Sequence, residues 1–175
     1  MGFHMETSIG KVLGDRITVS GADATRLHNK GFYGEFENGI LVLSTVEALY
    51  LLDRGKIRLV INSTELSFED AVKYFSKFDR DLWVKYIIYS DLRRRGYVVK
   101  SGFGGLSFRV YERGASVGRE AAKYLVFGAL EGKSLSLSEL YEMVRSARNS
   151  RKNLILAIVD RHDDVTYYDV TEVVL

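Results

Sequence analysis

Two capping boxes, each set between apolar runs of strand length, constrain the fold of this 175-residue chain more than any other feature. In Ser44-Thr45-Val46-Glu47 and in Ser136-Leu137-Ser138-Glu139, the first hydroxyl and the carboxylate three residues on each satisfy an N–H that a helix start leaves orphaned. The first box opens a helix through Ala48, Leu49, Leu51 and Leu52 that stops near Arg54-Gly55. Gly39–Leu43 before it and Ile57–Ile61 after it read as strands. The second box opens a helix carrying Leu140, Met143, Val144 and Ala147, between strand-like Lys123–Ala129 and Leu154–Val159. The pattern predicts an α+β protein with helices packed on a mixed sheet.

The remaining segments fill in two domains. Val12 to Val19 reads as a hairpin turning at Gly14-Asp15, followed by a short helix near Ala24–Leu27. Ser67-Phe68-Glu69-Asp70 starts a helix with apolar positions at Ala71, Val72, Tyr74 and Phe75. These pieces make a small mixed α/β domain over residues 1–78 with no look of a catalytic centre. The second domain, residues 79–175, starts with a helix on which Trp83, Ile87, Ile88 and Leu92 fall at helical spacing. Arg93-Arg94-Arg95 suits that helix's C-terminal dipole, and Gly96 ends it. Tyr97–Lys100 and Leu106–Tyr111 read as strands joined by the turn Ser101-Gly102-Phe103-Gly104-Gly105. Val165–Tyr168 and Thr171–Leu175 close the chain as strands.

Composition narrows the chemistry. A 46% hydrophobic content with 11 Tyr and 9 Phe specifies a folded globular protein. Without Cys there is no disulfide, thiolate zinc site or cysteine nucleophile. The three histidines, His4, His28 and His162, come from distant segments, so no metal site is expected. The lack of Gln and Cys and the 27% charged content lean towards a thermophile, whereas the lack of Pro runs the other way. No apolar run approaches the roughly 18 residues that span a membrane. Met1-Gly2-Phe3-His4-Met5 has no signal-peptide pattern; residues 1–4 read as a vector remnant ahead of a natural start at Met5, and a cytoplasmic protein is expected. Charge is unevenly placed: residues 91–159 hold 13 basic against 6 acidic side chains, while the last 16 residues hold 1 against 5. A basic middle suits a polyphosphate partner.

Gly102, Gly104 and Gly105 match neither a P-loop nor a dinucleotide fingerprint, since no helix follows them. Asp160-Arg161-His162-Asp163-Asp164 gathers three carboxylates and a histidine between two strands, where a polar hairpin is the better reading than a metal site. Such a turn can also plug into a basic cleft on another subunit. Three further pieces carry the functional reading: Tyr111-Glu112-Arg113-Gly114, then Ala121-Ala122-Lys123-Tyr124-Leu125-Val126, then Lys152-Asn153-Leu154-Ile155-Leu156-Ala157-Ile158-Val159-Asp160. They resemble, in order, the Tyr-x-Arg-Gly, His-Ser-x-Tyr-Leu-Val and Lys-x-Leu-x-Leu-Ala-x-Val-Asp segments of archaeal-type tRNA-splicing endonucleases. The last segment continues, like the family's, into Asp164-Val165-Thr166-Tyr167-Tyr168. Asp91 to Lys100 looks like the helix-to-strand entry of that family's catalytic domain, and Glu47 to Gly55 like part of its N-terminal domain.

The resemblance implies a nuclease-like α/β C-terminal domain with a central mixed sheet. It implies cleavage of RNA by its own 2′-hydroxyl, leaving a 2′,3′-cyclic phosphate and a 5′-hydroxyl, with no metal or cofactor required. It assigns Tyr111 as the base for the 2′-OH and Lys152 as the cation stabilising charge at phosphorus. The acid position, ten residues after Tyr111, holds Ala121, which cannot donate a proton. Either an introduced substitution disables a retained site, or the chain is a natural structural subunit supporting a catalytic partner. Retention of Tyr111 and Lys152 favours the former. Arg145 is implied to stack on a bulged base. The implied partners are precursor tRNA with a bulge–helix–bulge and further copies or relatives, as a homotetramer or a two-plus-two heterotetramer. Asp160, Asp163 and Asp164 would dock into another subunit and Val170–Leu175 would pair with its counterpart. A plain RNA-binding protein using residues 91–159 is the reading from another class.

Overall fold

The computed structural model describes residues 7–175, so the expected remnant at residues 1–4 lies outside the described residues. The chain divides into two compact units, one through Tyr86 and one from Ile87.

The first unit contains β1 (Ser8–Leu13), β2 (Arg16–Val19), α1 (Gly21–Gly31), β3 (Glu35–Glu37), β4 (Ile40–Leu43), α2 (Thr45–Asp53), β5 (Ile57–Ile61), β6 (Thr64–Leu66) and α3 (Phe68–Phe75). Its strands form one sheet in the order β3-β4-β2-β1-β5-β6, with β1 and β5 parallel and the other pairs antiparallel. Alternation along β1 and β2 turns Val12, Ile17 and Val19 inward, and Leu49, Leu51 and Phe75 from the helices of the same unit are likewise buried from water. The capping box of α2 does more than cap. Glu47 accepts from its own N-cap, Ser44 N, at 2.8 Å and from Gly34 N at 3.0 Å, so one buried carboxylate fixes both the helix start and the approach to β3.

The second unit is built on α4 (Leu82–Arg94), which begins in the first. It continues with β7 (Val98–Ser101), β8 (Phe108–Tyr111), β9 (Tyr124–Leu130), α5 (Leu137–Asn149), β10 (Asn153–Val159) and β11 (Val165–Val170). Its sheet runs β11-β10-β9-β8-β7; only β9 and β10 are parallel, because α5 carries the chain back between them. Alternation splits the sheet into two faces. Leu125 and Leu154 point towards α5 and pack with Ala147, Met143 and Val144. On the other face lies the C-terminal part of α4, where the Tyr89 ring meets Phe108 at 5.9 Å between centroids. Gly128 is required there, since a Cβ would come within 2.4 Å of Ile88 Cδ1. The α+β class with mixed sheets is therefore as expected.

Several boundaries differ. Thr171–Leu175 is not a strand: β11 ends at Val170 on the sheet's edge, and the five residues beyond it have no strand beside them and lie exposed. The helix expected near Ala24–Leu27 extends over Gly21–Gly31. Two short strands went unread, β3 and β6. Each is the outer arm of a two-residue hairpin whose turn residues have positive φ, Asn38 (50°) with Gly39 (79°) and Asn62 (47°) with Ser63 (65°). Asn-Gly at the first turn was the available signal. No described helix is long and apolar enough to cross a membrane.

Candidate active site

Three of the flagged positions gather at one end of the C-terminal sheet. Tyr111 closes β8, and its ring is buried with Val98, Ala115, Ala122 and Val117. The loop that follows returns to β9 through Lys123, whose N–H donates to Val110 O at 2.9 Å. Lys123 O accepts in turn from Asn153 N at 3.0 Å, which fixes Lys152 at the start of β10 beside the same strand ends. Tyr111, the segment around Ala121 and Lys152 thus lie at or just outside the ends of three adjacent strands held in register. Such an arrangement brings positions from separate parts of the chain to one edge of the sheet.

Local sequence explains how each residue reaches that edge. Gly114 and Gly118 take φ of 80° and 92° in the loop after Tyr111, a conformation that costs a side-chain-bearing residue about 1–2 kcal/mol. Ser116 N donates to Glu120 Oε1 at 3.1 Å, and the loop then exposes Ala121 next to the buried Ala122. Lys152 follows a helix end at which Arg151 adopts φ 55° and Lys152 N donates to Ala147 O at 2.9 Å. Its ammonium donates to Ser150 O at 3.3 Å and is half-buried. Lys123 pairs with Glu112 across the base of the loop, and the carboxylate's hydrogen bond holds the ammonium above the usual lysine range.

The other flagged residues lie elsewhere. Arg145 is exposed on α5, where it borders a groove of about 480 Å³ with Tyr141, Arg148 and the end of β11. A neighbouring depression of about 340 Å³ shares Val144 and Arg148 with that groove and reaches Lys152, so the two residues border adjoining surfaces. Asp160, Asp163 and Asp164 sit beyond the far end of β10, with Asp160 about 26 Å from Lys152 at the rise of eight extended residues. There the expected hairpin is present. Asp160 accepts from His162 N at 2.7 Å and Asp164 N at 3.1 Å, and these bonds hold its carboxyl below the usual aspartate range. Among the described residues, no three His, Asp or Glu side chains are grouped to hold a metal ion.

Some features of the unit carried little or no sequence signal. Tyr167, 76 positions away in the chain, donates its hydroxyl to Asp91 Oδ2 at 2.6 Å. The same oxygen accepts from Arg95 Nε at 2.8 Å. Burial first, then the Asp91 bond, pushes the Tyr167 phenol far above its ordinary range. Only the Asp91–Arg95 spacing of four was legible, as a helix pair. The Glu112–Lys123 pair depends on a loop closure that spacing does not reveal.

Comparison with known proteins matches both units. The family model of the tRNA intron endonuclease N-terminal domain matches residues 8–72, and that of the tRNA intron endonuclease catalytic C-terminal domain matches residues 82–167. A tRNA-splicing endonuclease of Thermococcus onnurineus (strain NA1) is 40% identical over 162 residues, covering 91% of this chain and 93% of the relative. That of Pyrococcus furiosus is 42% identical over 159 residues, covering 90% and 91%. That of Methanococcoides burtonii is 38% identical over 160 residues, which take up 91% of this chain but 45% of the relative. With both domain models matched in order and these identities along nine-tenths of its length, the chain belongs to the tRNA-splicing endonuclease family.

Proposed function

We propose that the chain is a subunit of an endonuclease that cuts precursor tRNA at intron boundaries, acting in the cytoplasm without a metal ion. Tyr111 takes the proton of the 2′-hydroxyl; the resulting oxyanion attacks phosphorus and expels the 5′-oxygen. The products are a 2′,3′-cyclic phosphate and a 5′-hydroxyl, the latter needing one proton from an acid. Lys152 stabilises the negative charge on the non-bridging oxygens. The observation that carries this reading is the meeting of Tyr111, position 121 and Lys152 at one end of three hydrogen-bonded strands. In this copy the acid's place holds a methyl group, so the leaving oxygen must draw its proton from water. A missing general acid costs about 10²- to 10⁴-fold in rate.

Two cuts at fixed separation call for two centres in one assembly, a homotetramer or a two-plus-two heterotetramer. Val173, Val174 and Leu175 are 73%, 81% and 114% exposed, an apolar tail suited to pairing with its counterpart in a neighbour. The acidic turn at Asp160–Asp164, in which the Asp160 carboxyl is held below its usual range, suits a basic cleft on another subunit. Arg145, exposed beside its groove, stacks on a bulged base of the substrate, a reading its accessibility supports.

The alanine at 121 also supports a second reading, a structural subunit that lends its fold to a catalytic relative. The test mixes the chain, and its Ala121→His form, with labelled intron-containing precursor tRNA in EDTA. The His form is expected to cut at both intron boundaries at least 100-fold faster, leaving cyclic-phosphate ends. Cutting that appears only when a second subunit is added, whichever residue stands at 121, establishes the structural reading instead. Activity abolished by EDTA overturns the metal-independent mechanism.

A further inference from the structure

On the sheet face turned away from α5, beside the end of α4, three tyrosines frame a basin of about 250 Å³. Tyr97 precedes β7, Tyr124 opens β9 and Tyr167 lies in β11; the floor between them is Val110, Val126 and Ile155. Each ring carries a cation. The Arg113 guanidinium lies 5.2 Å from the Tyr97 centroid, the Lys123 ammonium 5.5 Å from that of Tyr124, and the Arg95 guanidinium 5.6 Å from that of Tyr167. One wall is fixed, because Asp91 accepts from both the Tyr167 hydroxyl and Arg95.

These features select the occupant. The volume falls below the roughly 300–1,000 Å³ of pockets that take drug-sized molecules, and suits a single ring system. Phenol rings around an apolar floor offer stacking surfaces, and the cations beside those rings, Arg95 among the lining residues, offer partners for the phosphates on either side of a stacked base. An acidic peptide would use the cations but leave the three rings without a flat partner. Placement points the same way. Val110, on the basin floor, directly precedes Tyr111; Tyr97 directly precedes Val98, the register partner that packs with Tyr111 on the opposite face of the same sheet edge. An RNA strand passing over this sheet edge meets the basin and the Tyr111 end together.

We propose that the Tyr97–Tyr124–Tyr167 basin is a stacking subsite for an unpaired nucleobase of the RNA, separate from Arg145 and from the cleavage centre. The inference rests on the RNA-cleaving reading given above. Its test measures binding of a labelled bulge–helix–bulge RNA to the full chain, using RNAs in which each unpaired position in turn is made abasic. Tyr97→Leu and Tyr124→Leu are expected to weaken binding about tenfold, the scale of losing one base–aromatic stack. Tyr97→Phe should bind like the parent chain, because the ring and not the hydroxyl is used. One abasic position should weaken the parent by the same factor and add nothing to Tyr97→Leu, while Arg113→Gln should lower the salt dependence.

Unchanged affinity in both Leu variants, each confirmed folded by its thermal transition, overturns the subsite. So does full additivity of Tyr97→Leu with every abasic RNA. A Leu variant that alters subunit assembly while leaving RNA affinity intact shows the basin to hold protein, and also overturns it. Failure of the parent chain to bind the RNA at all sinks the RNA-cleaving reading itself, and is distinguishable because it does not depend on the tyrosines.

Discussion

A single buried carboxylate organises more of the N-terminal unit than its place in a capping box suggests. Glu47 bonds the N–H groups of Ser44 and Gly34, and Gly34 itself takes φ 67°, with Val42 O and the Leu41 side chain standing where a side chain would begin. A Cβ at this position would stand 2.7 Å from Val42 O. Gly34→Ala must therefore move backbone as well as strain φ, and should cost about 1–3 kcal/mol, read as a lowered denaturation midpoint with unchanged m-value. Gly39, also at positive φ but with open space around it, should tolerate Ala with only the smaller backbone cost of about 1–2 kcal/mol. The contrast shows why sequence reading stopped short here. A glycine and a glutamate 13 positions apart give no sign of being partners until the sheet brings them together.

At the scale of elements, α4 and β11 are joined through Asp91, Arg95 and Tyr167, and the join is sensitive to pH. The folded-state pKa of Tyr167 is raised, by burial and by the Asp91 bond. Its contribution to stability is therefore complete below the unfolded phenol value of about 10 and is lost as pH rises beyond it. In Tyr167→Phe the fall in stability above about pH 10 should be shallower than in the parent chain, measured as unfolding free energy between pH 8 and 11. An equal slope in both sinks the argument. Elements with local signals were legible in the sequence: both capping boxes, the Gly14-Asp15 hairpin, and α4 with its arginine-rich end. The third Arg of that end, Arg95, stands four residues after Asp91, the one sign of this link in the sequence; Tyr167 gave none. Thr171–Leu175 was misread because apolar and β-branched residues describe what a strand prefers, whereas a strand exists only with a neighbour to bond. Tyr111 and Lys152 were legible through motif order. The tyrosine basin was not, because its three rings come from segments separated by whole elements.

For the whole molecule, the proposed assembly depends on two features at the end of the chain, the acidic turn and the apolar tail. The Asp160 carboxyl is held below its usual range, so the ordering it provides is present above the unfolded aspartate value of about 3.9 and lost as pH falls through the lower folded value. Asp160→Asn combined with Asp164→Asn should weaken tetramer formation, and raised salt should weaken it in the parent but less in the variant, by sedimentation velocity. Removing Val173–Leu175 should instead reduce assembly with little salt dependence, because that contact is apolar. A parent chain that sediments as a monomer at all concentrations sinks this picture.

The seven-residue strand β10 carries Lys152 at one end and the acidic turn at the other, paired along its length with β9 and β11. If the turn anchors the subunit and the lysine end faces the phosphate, this strand works as a ruler between anchorage and cutting edge. Adding one residue would turn every side chain on one side of the insertion to the wrong face, and adding two would keep the faces but lengthen the ruler by about 7 Å. The separation of the two cuts is then a property of rigid strand geometry, and substrates whose cleavable bonds are spaced differently are refused by measurement before any base is read.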